Sequence, residues 1–164
     1  MPALESVPAK TGIPTFMLTQ TRVIRAPRAR VYEAWTTPEI LQKWFGPEGR
    51  HSPSASMDVR VGGAYRIEFA MDNQPPAAEG EGCKPNTAAF GEYTKIVPNE
   101  LLQFTWASNW QPEEQSLVTI SLKDVDGGSE ITILHENFNT EASRDGHNLG
   151  WAGSLVKLAA MLEG

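Results

Sequence analysis

Residues 16–25, FMLTQTRVIR, set Phe16, Leu18, Gln20 and Arg22 in alternation with Met17, Thr19, Thr21 and Val23, the two-residue period of a strand. Pro27 then fixes a helix-compatible φ, and RARVYEAW brings Val31, Ala34 and Trp35 to one side at steps of three and four, which predicts a short helix. Thr37-Pro38-Glu39 repeats the start signal, with a residue that can cap, a proline for the first helical position and an acid for the positive helix end. This second helix is predicted from Pro38 to about Phe45, its apolar side being Ile40, Leu41, Trp44 and Phe45, with Gly46-Pro47 as the stop.

A polar loop leads to a predicted strand over Ser56 to Val61, a Gly62-Gly63 turn, and a strand from Ala64 to Met71 that puts Tyr65, Ile67, Phe69 and Met71 on one face. Residues 72–89 hold three prolines and two glycines without periodicity and are expected to form a long mobile connection. Four further strands follow at Phe90 to Val97, Leu101 to Trp106, Leu117 to Val125 and Ser129 to Asn137. Their short links, Pro98-Asn99-Glu100 and Asp126-Gly127-Gly128 among them, imply an antiparallel meander. Thr140 to Leu162 reads as one long helix with Thr140 as its cap. Trp151, Leu155, Leu158 and Leu162 form one apolar stripe and Leu149, Val156 and Ala160 a second, with Ala152 and Ala159 between them. So broad an apolar arc places the helix in a concavity, with His147, Ser154 and Lys157 on the side towards water.

Strands grouped apart from helices give an α+β domain, a curved antiparallel sheet of about six to seven strands gripping the C-terminal helix, with two short helices after the first strand. The 164 residues suit one such domain, residues 16–164, preceded by a flexible tail, residues 1–15, that lacks the basic and apolar regions of a signal peptide. Hydrophobic residues at 40% and charged ones at 21% exclude a disordered or fibrous chain. A net charge of -6 argues against nucleic acid and anionic membranes as partners, and no stretch is suited to membrane insertion. With Cys83 as the single cysteine there is no intrachain disulfide, and the cytoplasm is the default compartment.

Candidate chemistry centres on aromatic and apolar side chains. A cup between sheet and helix would be lined by Trp35, Trp44, Tyr65, Phe69, Phe104, Trp106, Trp151 and Leu155, because tryptophan and tyrosine combine apolar area with a polar handle that orients a ligand. The plainer reading of the same residues is a packed core. His135 continues the alternation of Ile131 and Ile133, so it points inward if they do, as a proton-exchanging group or as a satisfied structural one. Glu68, Arg66, Asp58, Arg60 and Glu92 suit the wet outer face of the sheet better than a catalytic pair. His51, His135 and His147 have no metal-ligand spacing, and neither a metal nor another cofactor is expected. Cys83 has no positioned base and reads as an incidental thiol. Gly146, Gly150 and Gly153 share one side of the long helix, where something can approach closely; a loop is the bland occupant and a second copy in a homodimer the sharper one.

In order along the chain come Ile24-x-Ala26-Pro27-x-x-x-Val31-Tyr32-x-Ala34-Trp35-Thr36-x-Pro38, Leu41-x-x-Trp44-Phe45-Gly46 and Asp58-x-Arg60-x-Gly62-Gly63-x-Tyr65. Gly91-Glu92-Tyr93-x-x-Ile96-Val97-Pro98, Phe104-Thr105-Trp106, Thr132-x-x-His135-x-x-Phe138 and His147-x-x-Gly150-Trp151-x-x-x-Leu155 complete the series. In these the sequence resembles the activator of heat-shock protein 90 ATPase homologue family, within the START-like, polyketide-cyclase-like superfamily. The resemblance implies the helix-grip fold and a cup for apolar or amphiphilic small molecules, and it carries a link to the stress response. Three readings follow: a non-catalytic binder of such a molecule, a cyclase-like or hydrolase-like enzyme using the same cup, and a co-chaperone-like protein with a chaperone as partner.

Overall fold

The alternation of the first strand persists in the folded chain, where Leu18 and Ile24 are buried while Met17, Thr19 and Val23 are exposed. The computed structural model describes residues 15–46, 50–71 and 87–163. Its elements are β1 (Phe16–Ile24), α1 (Arg28–Thr36), α2 (Pro38–Leu41), β2 (Arg50–Met57), β3 (Ala64–Met71), β4 (Thr87–Val97), β5 (Leu101–Ser108), β6 (Ser116–Val125), β7 (Gly128–Phe138) and α3 (Glu141–Glu163). The seven strands form one antiparallel sheet in the order β1-β7-β6-β5-β4-β3-β2. β1 and β2 are thus the two edges, and α1 and α2 carry the chain from one to the other. A single core joins Trp35 of α1, Ile67 and Phe69 of β3, Phe104 and Trp106 of β5, Ile131 and Ile133 of β7, and Trp151, Leu155, Leu158 and Leu162 of α3. This is the predicted α+β architecture, sheet against long helix.

Thr140 caps α3 as its sequence suggests, its Oγ1 accepting the Ser143 N–H at 3.0 Å. Six expectations are corrected. Thr37 makes no side-chain cap, and α2 ends at Leu41 rather than near Phe45. Trp44 and Phe45, beyond the end of the helix, are both buried all the same. The second strand is Arg50–Met57 and not Ser56 to Val61. It is an edge strand with a register shift between His51 and Ser54, where Pro53 sits, so its polar sequence RHSPSASM carries little strand signal. At the following turn Gly62 adopts φ 86°, and a Cβ on Gly63 would collide with the Asp58 carbonyl.

β4 begins at Thr87, taking residues 87–89 from the predicted connection; Ala88 N–H is held by Asn109 Oδ1 at 2.9 Å. Residues 72–86, Cys83 among them, and the tail through residue 14 lie outside the described residues. On α3, the second apolar stripe is not buried: Leu149 is 76% exposed and Val156 54%, and Ala152 and Ala160 are exposed with them. At about 100° per residue Leu149 lies roughly 160° round the helix from Trp151, beyond the arc that the sheet can cover. Conversely Ser154 is buried and His147 half-buried, not turned to water.

The two stripes therefore separate in stability. Leu158→Ala, which empties a fully buried site, should cost about 2–5 kcal/mol in urea unfolding, whereas Leu149→Ala should stay within about 0.5 kcal/mol of the parent. Equal losses at both positions would contradict the observed rotation of α3.

Candidate functional site

The N-terminal half of α3 carries small residues on the side facing β3 and β5, and the sheet does not close the gap. A hollow of about 600 Å³ results. Its sheet-side wall is aromatic, with Phe69, Trp106 and Trp110, and Phe45 and Trp151 close one end. Its helix-side wall is Ala142, Ser143, Gly146, His147, Gly150 and Ser154, while Thr87, Gln111 and Thr140 add polar groups. The rings brace one another: Phe45 stacks on Phe69 at 5.6 Å, and Trp106 lies 5.4 Å from Trp151. Trp110, 41% exposed, stacks on His147 at 6.0 Å.

Two histidines, His147 on the wall and His135 behind it, accept hydrogen bonds from two indoles. Trp151 Nε1–H donates to His135 Nδ1 at 3.0 Å, and Trp106 Nε1–H donates to His147 Nε2 at 3.2 Å. An indole N–H only donates, so each imidazole must be neutral with its proton on the other nitrogen. His135 Nε2–H then faces Ser116 Oγ at 2.7 Å, whose hydroxyl donates to the Trp106 carbonyl at 3.3 Å. His147 Nδ1–H donates to the Ser143 carbonyl at 2.8 Å. Burial, with the second histidine nearby, holds His135 well below the usual imidazole range. Burial also lowers His147, opposed by its bond to the Ser143 carbonyl and by the charge of Glu114. Glu114, itself buried, accepts the Ser143 hydroxyl at 2.6 Å and the Asn139 N–H at 2.6 Å, tying the β5–β6 connection to the start of α3.

The sequence-predicted residues divide in two. Phe69, Trp106 and Trp151 line the hollow. Trp35, Tyr65 and Phe104 instead surround a much smaller void beneath α1 and α2, Trp44 is fully buried with its N–H on the Ala34 carbonyl, and Leu155 packs in the core. His135 is buried behind the wall, pointing inward with Ile131 and Ile133. Phe45, Trp110, Gln111, Ser143, His147 and Glu114 were not singled out as site residues. His147 was legible, since it stands four residues before Trp151 and hence on the same side of α3. Of the five charged residues assigned to the outer face, Arg66 and Glu68 lie on one face of β3, 3.6 Å apart, and Glu92 of β4 is exposed, whereas Asp58 and Arg60, 2.8 Å apart, belong to the turn between β2 and β3. Among the described residues no group of three or more His, Cys, Asp or Glu could hold a metal, and no helix is long and apolar enough to cross a membrane.

Residues 25–163 match the family described as "Activator of Hsp90 ATPase homolog 1-like protein". Protein CV1439 from Chromobacterium violaceum is 31% identical, with 90% of this chain and 97% of that one covered and a TM-score of 0.72. The AHSA1 (SPO3351) protein from Silicibacter pomeroyi, at 23% identity, 90% and 98% coverage and a TM-score of 0.73, shares the fold. So does CalU16 from Micromonospora echinospora, at 21% identity, 90% and 75% coverage and a TM-score of 0.61. No curated protein matches the chain.

The neutral histidines set a pH dependence. Both folded-state pKa values are depressed, so the unfolded chain takes up protons first; stability is fully present above about pH 6.5 and is lost as pH falls through the folded values. Each histidine can contribute a slope of up to about 1.4 kcal/mol per pH unit in that window. Urea midpoints between pH 8 and 5, with imidazole nitrogen shifts recorded in parallel, should show the loss and His135 remaining the Nε2–H tautomer. A His135 that protonates near pH 6.5 would refute the bonding scheme.

Proposed function

The chain belongs to the Activator of Hsp90 ATPase homolog 1-like family, and on that premise we propose that it binds an uncharged apolar or amphiphilic small molecule in the hollow between α3 and the sheet. The observation that carries this reading is the wall itself: five aromatic side chains face a space of about 600 Å³, a volume suited to a small organic ligand. Phe45, Phe69 and the Trp106, Trp110 and Trp151 rings supply apolar area, and Gln111, Thr140 and Ser143 supply a few polar contacts for orientation.

Binding is favoured over catalysis by the state of the ionisable groups. Among the described residues His147 is the one ionisable side chain on the wall, and both its nitrogens are engaged by protein. His135 is likewise engaged on both nitrogens, and Glu114 is bonded to Ser143 and Asn139. Among the described residues, an acid–base pair converging on a ligand atom, which general catalysis needs, has no members free to serve.

Gly146 offers a clean test, since a side chain added there meets nothing within 4 Å and would project where the hollow is. N-Phenyl-1-naphthylamine, a neutral apolar fluorophore, should brighten on binding the parent protein. Gly146→Leu should keep or raise stability, glycine being about 1 kcal/mol unfavourable inside a helix, and weaken the dye by roughly tenfold or more. Absence of binding to the parent, or equal affinity in the filled variant, would remove the proposal.

A further inference from the structure

Of the four buried tryptophans, three have an acceptor for the indole N–H: Trp44 the Ala34 carbonyl, Trp106 His147 and Trp151 His135. Trp35, 3% exposed, has none. A buried donor left unpaired is costly, and its aromatic neighbours Trp44, Phe45 and Trp151 offer only ring faces, poorer acceptors than oxygen. Trp35 is also on the wall of the small void beneath α1 and α2, with Leu41, Tyr65 and Phe104. That void measures about 10 Å³, space for about one water. The Tyr65 hydroxyl donates to the Thr105 carbonyl at 2.5 Å and keeps an oxygen lone pair that can accept from a water, so a single water is the occupant a ligand would have to displace.

Phe45 is the residue common to the walls of this void and of the large hollow. Its ring packs 5.6 Å from Phe69 and from Trp151 and 5.9 Å from Trp35, and Trp35 and Trp151 are themselves 5.9 Å apart, so the three rings meet where the two spaces adjoin. It sits at the end of the chain's turn out of α2 and is followed by Gly46 at φ 118°, a conformation open chiefly to glycine. One hydrogen bond, Gly46 N–H to Ser154 Oγ at 3.2 Å, fastens this point to α3. The segment thus has a ring of two torsions, a glycine behind it, and a border with both the large hollow and the small void.

We propose that Phe45 is a movable partition and that the ligand extends past it, placing an uncharged hydrogen-bond acceptor, a carbonyl or ether oxygen, on the Trp35 N–H. This rests on the binding reading above and names the chemistry at the ligand's inner end. The acceptor is required because an indole N–H only donates, and it is uncharged because no cation among the described residues lines the inner void to pair with an anion there. The apolar body stays against Phe69, Trp106 and Trp151 in the outer hollow.

A matched pair of probes separates the two levels of the argument: 6-propionyl-2-dimethylaminonaphthalene, which carries a carbonyl, and its carbonyl-free analogue 2-dimethylamino-6-propylnaphthalene. In proton–nitrogen spectra of the full chain labelled at the indole nitrogens, the carbonyl probe should move the Trp35 cross-peak downfield and the analogue should not. The carbonyl probe should bind about tenfold more tightly than its analogue, the size of one hydrogen bond to a previously unpaired group. Trp35→Phe should abolish that preference while still binding the analogue, and Phe45→Ala should speed entry of the carbonyl probe. If both probes bind with equal affinity and the Trp35 cross-peak stays in place, the partition is overturned and the outer hollow stands. If neither binds, both readings fall. Should Trp35→Phe fail to fold, the spectrum of the parent protein decides the matter alone.

Discussion

The hydrogen bond from Trp151 Nε1–H to His135 Nδ1 fixes everything on the concave side of the sheet. The packing of Leu155, Leu158 and Leu162 against the strands is close but non-directional, and by itself would allow α3 to roll. A bond between two buried groups has no water to replace it, so rolling the helix would orphan a donor and an acceptor together. With Trp151 locked, helical geometry settles the rest: His147, one turn earlier, meets Trp106, and Ser154, three residues later, meets Gly46. The lining of the hollow follows from one contact and the period of a helix.

Along its length α3 does two jobs with two kinds of side chain. From Leu155 to Leu162 it buries large apolar groups and seals the core. From Ala142 to Gly150 it turns alanine, serine and glycine towards Phe69 and Trp106, and what the small residues fail to fill remains as the hollow. Glycine within a helix normally weakens it. Here the weak half is tied at its start by Thr140, which caps it, and by Glu114, whose carboxylate accepts the Ser143 hydroxyl beside the positive end of the helix. A helix so fastened can hold its place without filling the space beneath it.

Much of this was legible from periodicity. Alternation found six strands and the stripe from Trp151 to Leu162 found the buried face of α3, because burying one face requires those repeats. β2 escapes this reading because its sequence RHSPSASM is polar and holds Pro53 at a register shift, leaving little alternation to read. Leu149 and Val156 misled because apolar identity does not establish burial; the sheet covers a limited arc and they lie outside it. His147 and Ser154 were misassigned for the opposite reason, polar identity being taken as exposure when each is consumed by a specific bond. Glu114 belongs to a connection with no periodicity, so nothing before the fold itself could bring it to Ser143 and Asn139. Trp35, Tyr65 and Phe104 face the interior as their spacing requires, but which of two voids they border depends on where Phe45 leaves α2.

The same bonds that position the wall also restrict what can sit against it. Trp106 and Trp151 keep acceptors only while His147 and His135 are neutral, so the wall is intact only in a core without added charge. An anion lodged beside His147 would favour the imidazolium, and its new N–H would then point at the Trp106 N–H and break that bond. A cation would be repelled by neither histidine and would be drawn to the ring faces, yet it would leave water for a wall on which no carboxylate stands among the described residues. Desolvation therefore disfavours one sign of charge, and disruption of the indole–imidazole bonds the other. On the binding reading proposed above, an uncharged ligand is the occupant that leaves the Trp151–His135 bond and the position of α3 unchanged.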